Sequence, residues 1–475
     1  MILLLASLIG VIPAPGWSDP VISIETPAGY YQRKDLVVTD GDHIHQIWNK
    51  YQGESRIGYN VVLSDGTVLV PDTLISRNTF SAHPSASYAP DSGFIGFWRE
   101  GTAKWYSVKD HEGSTLIPAT FYSSEGYTSW FRIDSSLDSL GRVHMVWDSG
   151  PEVCYSILEP GVGEVWRDTI PDSMQQALVL VDGNRVHIKF NGPDQWADYI
   201  QYDLNGNITV PTVSLVEDIL GETNFSSMAV DSNGNVYVFV FENPDGQPRR
   251  FCLYKIDGDN GDVLIDGMVI YQAEQFISIN DPIILAMPSG DQFYLLWRES
   301  DPVSTYYKLI KFAIIDTDGN FVEEPYIAYD YTDEDPENIT RMAATANAQG
   351  DVFVAYSEGD PQLQGYWIRL GWFDHNWLGV EENEGDPESS VAIDLYPSMN
   401  PFRESVSVTV DAHPVPGQLA VYDLSGRIVR TLVRGADEAF LWDGCDSEGN
   451  ELPPGSYIVQ GASAGRLGSV SVVKL

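Results

Sequence analysis

DSLGRVHMVW, residues 138–147, is a polar turn followed by an alternating run that ends on a large aromatic residue. Asp and Gly tolerate the tight reversal, and the alternation after it gives a strand with one apolar face. The pattern recurs as TDGDHIHQIW (39–48), PDSGFIGFW (90–98), VDGNRVHIKF (181–190), DSNGNVYVFV (231–240), PSGDQFYLLW (288–297) and NAQGDVFVAY (347–356). The stops fall at 48, 98, 147, 190, 240, 297 and 356, a spacing of 43 to 59 residues. Repetition at such a period is the mark of an architecture built from equivalent units.

Each copy is followed by a second alternating run around a polar turn, as in YNVVLSDGTVLV (59–70), YIQYDLNGNITV (199–210) and FAIIDTDGNFV (312–322). About fifty residues with two hairpins' worth of strand make a small antiparallel sheet, which cannot bury its apolar face alone. Radial stacking covers those faces and protects the edges. The spacing therefore predicts an all-β chain whose residues 30–380 form a seven-bladed β-propeller. Six or eight blades are the alternative counts, and a β-solenoid or stacked β-sandwiches are the competing architectures. The wider spacing late in the series points to long loops at ENPDGQPRR (242–250) and YDYTDEDPENIT (329–340). The recurring Trp48, Trp98, Trp147 and Trp297 read as packing between blades; a sugar-stacking role requires them exposed on one face.

The chain has 475 residues, 43% of them hydrophobic, enough for real cores and too many for wholesale disorder. It carries 68 acidic against 27 basic residues, a net charge of −41. Such a field repels nucleic acid and anionic membrane surfaces and disfavours anionic ligands. Three well-separated cysteines, Cys154, Cys252 and Cys445, form no CxxC and no disulfide framework. The opening MILLLASLIGVIPAPGWSDP is too short to span a membrane and reads as a secretory leader (1–18) cut near 16–18; a buried N-terminal strand is the alternative. No later stretch is apolar enough to cross a bilayer.

After residue 380 the periodicity breaks into an acidic linker, 381–395, and then a short β-rich module, 396–475. Candidate strands are SVSVTV (405–410), QLAVYDL (418–424), RIVRTLV (427–433), EAFLWDG (438–444), GSYIVQGASA (455–464) and GSVSVVKL (468–475), the count and length of an Ig-like β-sandwich. AVYDLSGRIVRTLV, WDGCDSEGNELPPGSYIVQ and the closing SVSVVKL resemble the FlgD-type Ig-like module and are similar to the C-terminal sorting domains of type IX secretion cargo. Tyr422, Asp423, Gly426, Arg427, Trp442, Asp443, Gly444, Gly449, Gly455, Tyr457 and Lys474 carry the likeness. YPSMNPF (396–402) departs from it by two extra residues. The resemblance implies a secreted or surface-held bacterial protein whose last domain engages the secretion machinery or the envelope and does no chemistry.

Motifs for catalysis are lacking. HExxH and a P-loop are absent, and so is the S-x-D-x-G-x-x-W box of sialidase-like propellers; the one G-x-S-x-G, GASAG at 461–465, ends a candidate strand and opens no helix, so it makes no nucleophile elbow. His45, His144 and His187 recur at one place in three repeats, three residues before the stop, where the other copies carry Ile95, Tyr237, Tyr294 and Phe353. They make either a metal site, if they converge, or ordinary packing. DTDGN (316–320) and DGDNGD (257–262) resemble calcium loops in composition without the full register, which leaves weak calcium binding as the one cofactor expectation. No catalytic, metal or cofactor residue is assigned. The leading expectation is a secreted or surface-displayed propeller that binds an extracellular protein or glycan. A carbohydrate-active hydrolase or lyase with axial carboxylates, and a structural envelope component, are the alternatives.

Overall fold

The computed structural model describes residues 12–375 and 394–474, less short connecting segments of which 124–132 is the longest. Residues 1–11 of the leader and 381–393 of the linker lie outside them, as does 332–337 of the expected long loop; the last two linker residues, 394 and 395, open a strand of the second unit. The chain divides into two compact units, Met1–His375 and Asn376–Leu475.

The first unit is a seven-bladed ring. Blades of four antiparallel strands run over 34–74, 81–123, 133–170, 175–214, 226–272 and 279–330. The seventh takes three strands from 338–373 and its fourth, Val21–Pro27, from the start of the chain. That strand, outside the repeat-derived span 30–380, pairs Val21 with Leu370 and Pro27 with Gly365 and so closes the ring. A cluster of Leu36, Trp48 and Val62 with Phe353, Ala355 and Leu370 fills the seam between the first and last blades.

All seven turn-and-aromatic motifs form the second strand of their blade: His43–Tyr51, Gly93–Glu100, Val143–Ser149, Arg185–Asn191, Val236–Pro244, Gln292–Ser300 and Val352–Asp360. The second recurrent unit supplies the third and fourth strands. Trp48, Trp98, Trp147 and Trp297 have no exposed surface, so they are inter-blade packing and not stacking platforms. The outer strands expose one edge to solvent, and there Pro71, Pro118, Pro211 and Pro325 sit mid-strand. A proline cannot donate to a further strand, which keeps such an edge from recruiting one.

Trp17 is wedged between the sixth and seventh blades. Its ring lies 5.3 Å from Phe312, 5.3 Å from Tyr329 and 5.4 Å from Phe373, and its Nε1 donates to the Tyr326 hydroxyl at 3.2 Å. Just before it, Ile12–Pro13 pairs with the outer strand of the sixth blade.

The second unit is a β-sandwich. One sheet joins Asp394–Pro397, Val406–Asp411 and Phe440–Trp442; the other orders Ile428–Val433, Gln418–Tyr422, Gly455–Ser463 and Arg466–Lys474. Trp442 plugs the core, 5.3 Å from Phe402 and 5.0 Å from Tyr457. The Tyr457 hydroxyl donates back to the Pro453 carbonyl at 2.7 Å, a corner that ties the strand entry to the loop before it. Lys474, on the closing strand, is 3% exposed and donates to Glu451 Oε1 at 3.0 Å and the Leu452 carbonyl at 2.6 Å.

Candidate functional site

Up-and-down strands give the ring two different ends. One carries the turns between strands one and two and between strands three and four; it is called here the turn end. The other carries the connections between strands two and three and between blades, the loop end.

The histidines belong to the turn end. His45 Nδ1 lies 2.8 Å from Tyr59 OH, His144 Nδ1 2.6 Å from Tyr155 OH and His187 Nδ1 2.7 Å from Tyr199 OH. Each tyrosine is on the third strand of the same blade, so each imidazole has its own partner and the three do not form one site. Among the described residues no group of three His, Cys, Asp or Glu side chains is placed to hold a metal ion. Burial pushes His45 down to about 4, against an opposing hydrogen bond with the His111 carbonyl, and His187 down to about 3. His144 is lowered by burial too, with Asp138 pulling the other way.

The same position spans the seams. His45 Nε2 meets the His111 carbonyl of the next blade at 3.0 Å; Tyr237 OH donates to the Thr317 carbonyl and Tyr294 OH to the Gly350 carbonyl, both at 2.8 Å. From the third strand, Gln201 Nε2 donates to the Gly258 carbonyl at 2.6 Å, and Tyr106 OH accepts from the Gly161 amide at 3.0 Å. These are staples between blades.

The calcium-like turns are closed by their own side chains. In DTDGN, Asp316 Oδ1 accepts from the Asp318 and Asn320 amides at 2.9 Å, and Oδ2 accepts from Asn320 Nδ2 at 3.0 Å. A cation would have to displace those donors. DLNGN (203–207), DSNGN (231–235) and DSEGN (446–450) use the same device, the last of them in the C-terminal unit.

The loop end is built differently. In four blades the innermost strand bulges across from the aromatic stop, and the bulged residue is not glycine yet has positive φ: His83 (57°), Gln176 (59°), Asp281 (51°) and Arg341 (51°). Left-handed backbone at a non-glycine residue costs energy, and bulges re-aim side chains at the rims of sheets. The sequence holds one signal for two of them: Pro84 and Pro282 follow His83 and Asp281, and proline inside a strand marks a bulge.

Asp281 shows how these positions are held. Its carboxylate is 2.8 Å from Arg298 Nε and 3.9 Å from Arg341 Nη1, and it accepts from the Met342 amide at 2.9 Å. Burial alone would raise its pKa; the two guanidiniums and the amide outweigh that and hold it below the usual carboxylate range. Arg298 also donates to the Ile339 carbonyl at 2.5 Å and lies 4.2 Å over the Tyr307 ring.

Four glutamates sit two residues past the stop, and each is committed to structure. Glu100 accepts from the Arg77 amide and Asn78 Nδ2, both at 2.8 Å. Glu242 accepts from Arg250 Nε at 2.7 Å and Tyr254 OH at 2.8 Å, and Glu358 from Arg369 Nε at 2.6 Å and Nη2 at 3.0 Å. Glu299 accepts from Tyr271 OH and lies 3.7 Å from Lys311 Nζ. Carboxylates so engaged anchor strands and loops; they do not resemble the facing acid and base of a glycosidase.

Comparison with known proteins agrees with this architecture. Residues 400–465 match the family model of the FlgD Ig-like domain. No curated protein matches the chain. Among solved structures, an ulvan lyase, a polysaccharide lyase bound to -[GlcA(1-4)Rha3S]-, aligns with a TM-score of 0.51 at 9% identity, over 74% of this chain and 95% of that one. PorZ, a surface component of the type IX secretion system of Porphyromonas gingivalis, aligns with a TM-score of 0.43 at 10% identity over 93% of this chain, which spans 59% of the length of PorZ. A protein of unknown function from Dyadobacter fermentans aligns with a TM-score of 0.45 at 11% identity, over 76% of this chain and all of its own. At these identities the likeness concerns the fold and nothing finer. The protein is thus a seven-bladed β-propeller followed by a FlgD-like Ig domain.

Proposed function

We propose that the protein is a bacterial surface or secreted recognition protein, in which the loop end of the ring binds an extracellular glycan or protein and the Ig-like unit serves export or attachment. The observation that carries this reading is the matched set of strained positions at 83, 176, 281 and 341. A ring that needed only to close could use glycine there; instead Gln176 and Arg341 stand half-buried at the rim, while the buried side chains of His83 and Asp281 brace it from beneath. The FlgD-like match and the apolar residues 2–12 support the address.

Recognition is favoured over catalysis because the buried acids near the loop end are held by arginine, tyrosine and backbone donors. The test uses the intact protein on arrays of glycans and envelope proteins, followed by Gln176→Gly. That change removes a rim side chain and relieves its backbone, so binding should weaken while the melting temperature holds or rises. Depolymerisation of a bound glycan would instead establish the lyase or hydrolase alternative. Protease accessibility on intact cells checks the location.

A further inference from the structure

Blade 2 breaks the pattern of its neighbours at the loop end. Trp98 pairs with Trp105 on the next strand, and Trp105 pairs with Phe121 on the outer strand. Directly opposed residues project from the same face of a sheet, so an aromatic row runs outward from the buried stop to the surface. In the adjoining blades that row continues instead through Gly58 to Leu74 and through Cys154 to Thr169. Trp98 is fully buried, Trp105 half-buried and Phe121 50% exposed; the Trp105 and Phe121 rings meet edge-on at 5.9 Å.

The connection between blades 1 and 2 adds two more groups. The Arg77 guanidinium lies 5.3 Å over the Trp105 ring, and among the described residues no acidic side chain pairs with it. Three residues on, Phe80 is 76% exposed with φ of 73°. A bulky residue there is a genuine outlier, and an exposed phenyl ring gains nothing from the core. The described residues of this connection, Arg77, Asn78, Phe80 and Ser81, are nonetheless firmly held. Glu100 takes the Arg77 amide and Asn78 Nδ2, Ser81 Oγ donates to the Asn78 carbonyl at 2.7 Å, and the Phe80 carbonyl accepts from the Gly101 amide at 3.3 Å. Backbone strain, an exposed ring and a stacked cation without an acid partner have no role in closing the ring. Together they suit a preorganised binding surface.

We infer that Arg77, Phe80, Trp105 and Phe121 form a subsite for a neutral glycan. The inference rests on the recognition reading above and names a ligand class and a place for it. The exposed rings of Phe80 and Phe121 offer faces on which the C–H side of a pyranose stacks, and Arg77, fixed by Trp105, donates to sugar hydroxyls. A neutral ligand fits because the −41 net charge repels polyanionic chains, whereas stacking is indifferent to that field.

The probe is an array of neutral gluco-, xylo-, manno- and galacto-oligosaccharides beside uronate-bearing and sulfated ones, read with the full chain. The best neutral binder is then titrated against Phe80→Gly, Phe121→Ala, Arg77→Gln and Gln176→Gly. Phe121→Ala and Phe80→Gly should each weaken binding about tenfold or more, with melting temperatures unchanged, or raised for Phe80→Gly. Binding confined to acidic glycans overturns the assignment. So does neutral-glycan binding untouched by the three strip variants and lost only in Gln176→Gly, an outcome that leaves the broader recognition reading standing. If neither glycans nor envelope proteins bind, both readings fall.

Discussion

At the turn end of the ring, His45, Tyr106, Gln201, Tyr237 and Tyr294 each reach a backbone group of the next blade, and glycines accept close neighbours. A side chain at Gly206 would begin 2.4 Å from the Trp166 indole, and one at Gly258 would begin 1.9 Å from the Gly234 carbonyl oxygen. At the loop end, residues that are not glycine occupy glycine-like backbone at 80, 83, 176, 281 and 341, and an aromatic residue is held out in solvent. The same seven sheets supply both ends. Where the chain needs closure, residue type and backbone agree. Where they disagree, the strain has been retained for something other than closure.

That contrast can be probed by substitution. Trp297→Ala, in the wall both ends share, should cost about 3–5 kcal/mol, read by denaturant unfolding of the full chain. Gly258→Ala, at the turn end, forces a Cβ against backbone and should cost about 1–3 kcal/mol, seen as a lower melting temperature.

Tyr199→Phe leaves His187 Nδ1 without its hydroxyl and should cost about 1–2 kcal/mol. The imidazole itself sets a pH dependence. His187 is lowered to about 3 when folded, below the ordinary value near 6.5, so between those limits the unfolded chain takes up a proton that the folded ring refuses. Its stabilising contribution is complete above about pH 6.5 and is lost as pH falls toward 3. The stability difference between the protein and His187→Gln should therefore narrow from pH 7.5 to 4.5. Carboxylates titrate alike in both proteins and cancel; a constant difference would mean that the imidazole is not buried neutral. The smallest effect belongs to the loop end: Phe80→Gly should change stability by no more than about 1 kcal/mol, toward greater stability.

How much of this was legible follows from the reach of each signal. Turn, alternation and aromatic stop lie within ten residues, so all seven second strands and the buried tryptophans could be read locally. Six Ig-like strands were equally plain, with Trp442 at their core; a seventh, Asp394–Pro397, was not, because it begins inside the stretch read as acidic linker. The closing strand Val21–Pro27 was not, because its partner, Gly365–Phe373, lies at the other end of the repeat array and no local pattern announces that pairing. His45, His144 and His187 advertised their recurrence but not their partners, since the tyrosines come from the neighbouring strand. Phe80 was invisible for a simpler reason. Its residue type favours burial and an ordinary backbone, and only coordinates show that it has neither.

The most direct test pairs melting temperature with glycan affinity for Phe80→Gly and Gly206→Ala, using the oligosaccharide selected on the array. Phe80→Gly should lose affinity while keeping its melting temperature, and Gly206→Ala, which must displace Trp166, should melt earlier while the folded protein binds as before. Affinity lost in Gly206→Ala and kept in Phe80→Gly would place recognition at the turn end and contradict the division drawn here.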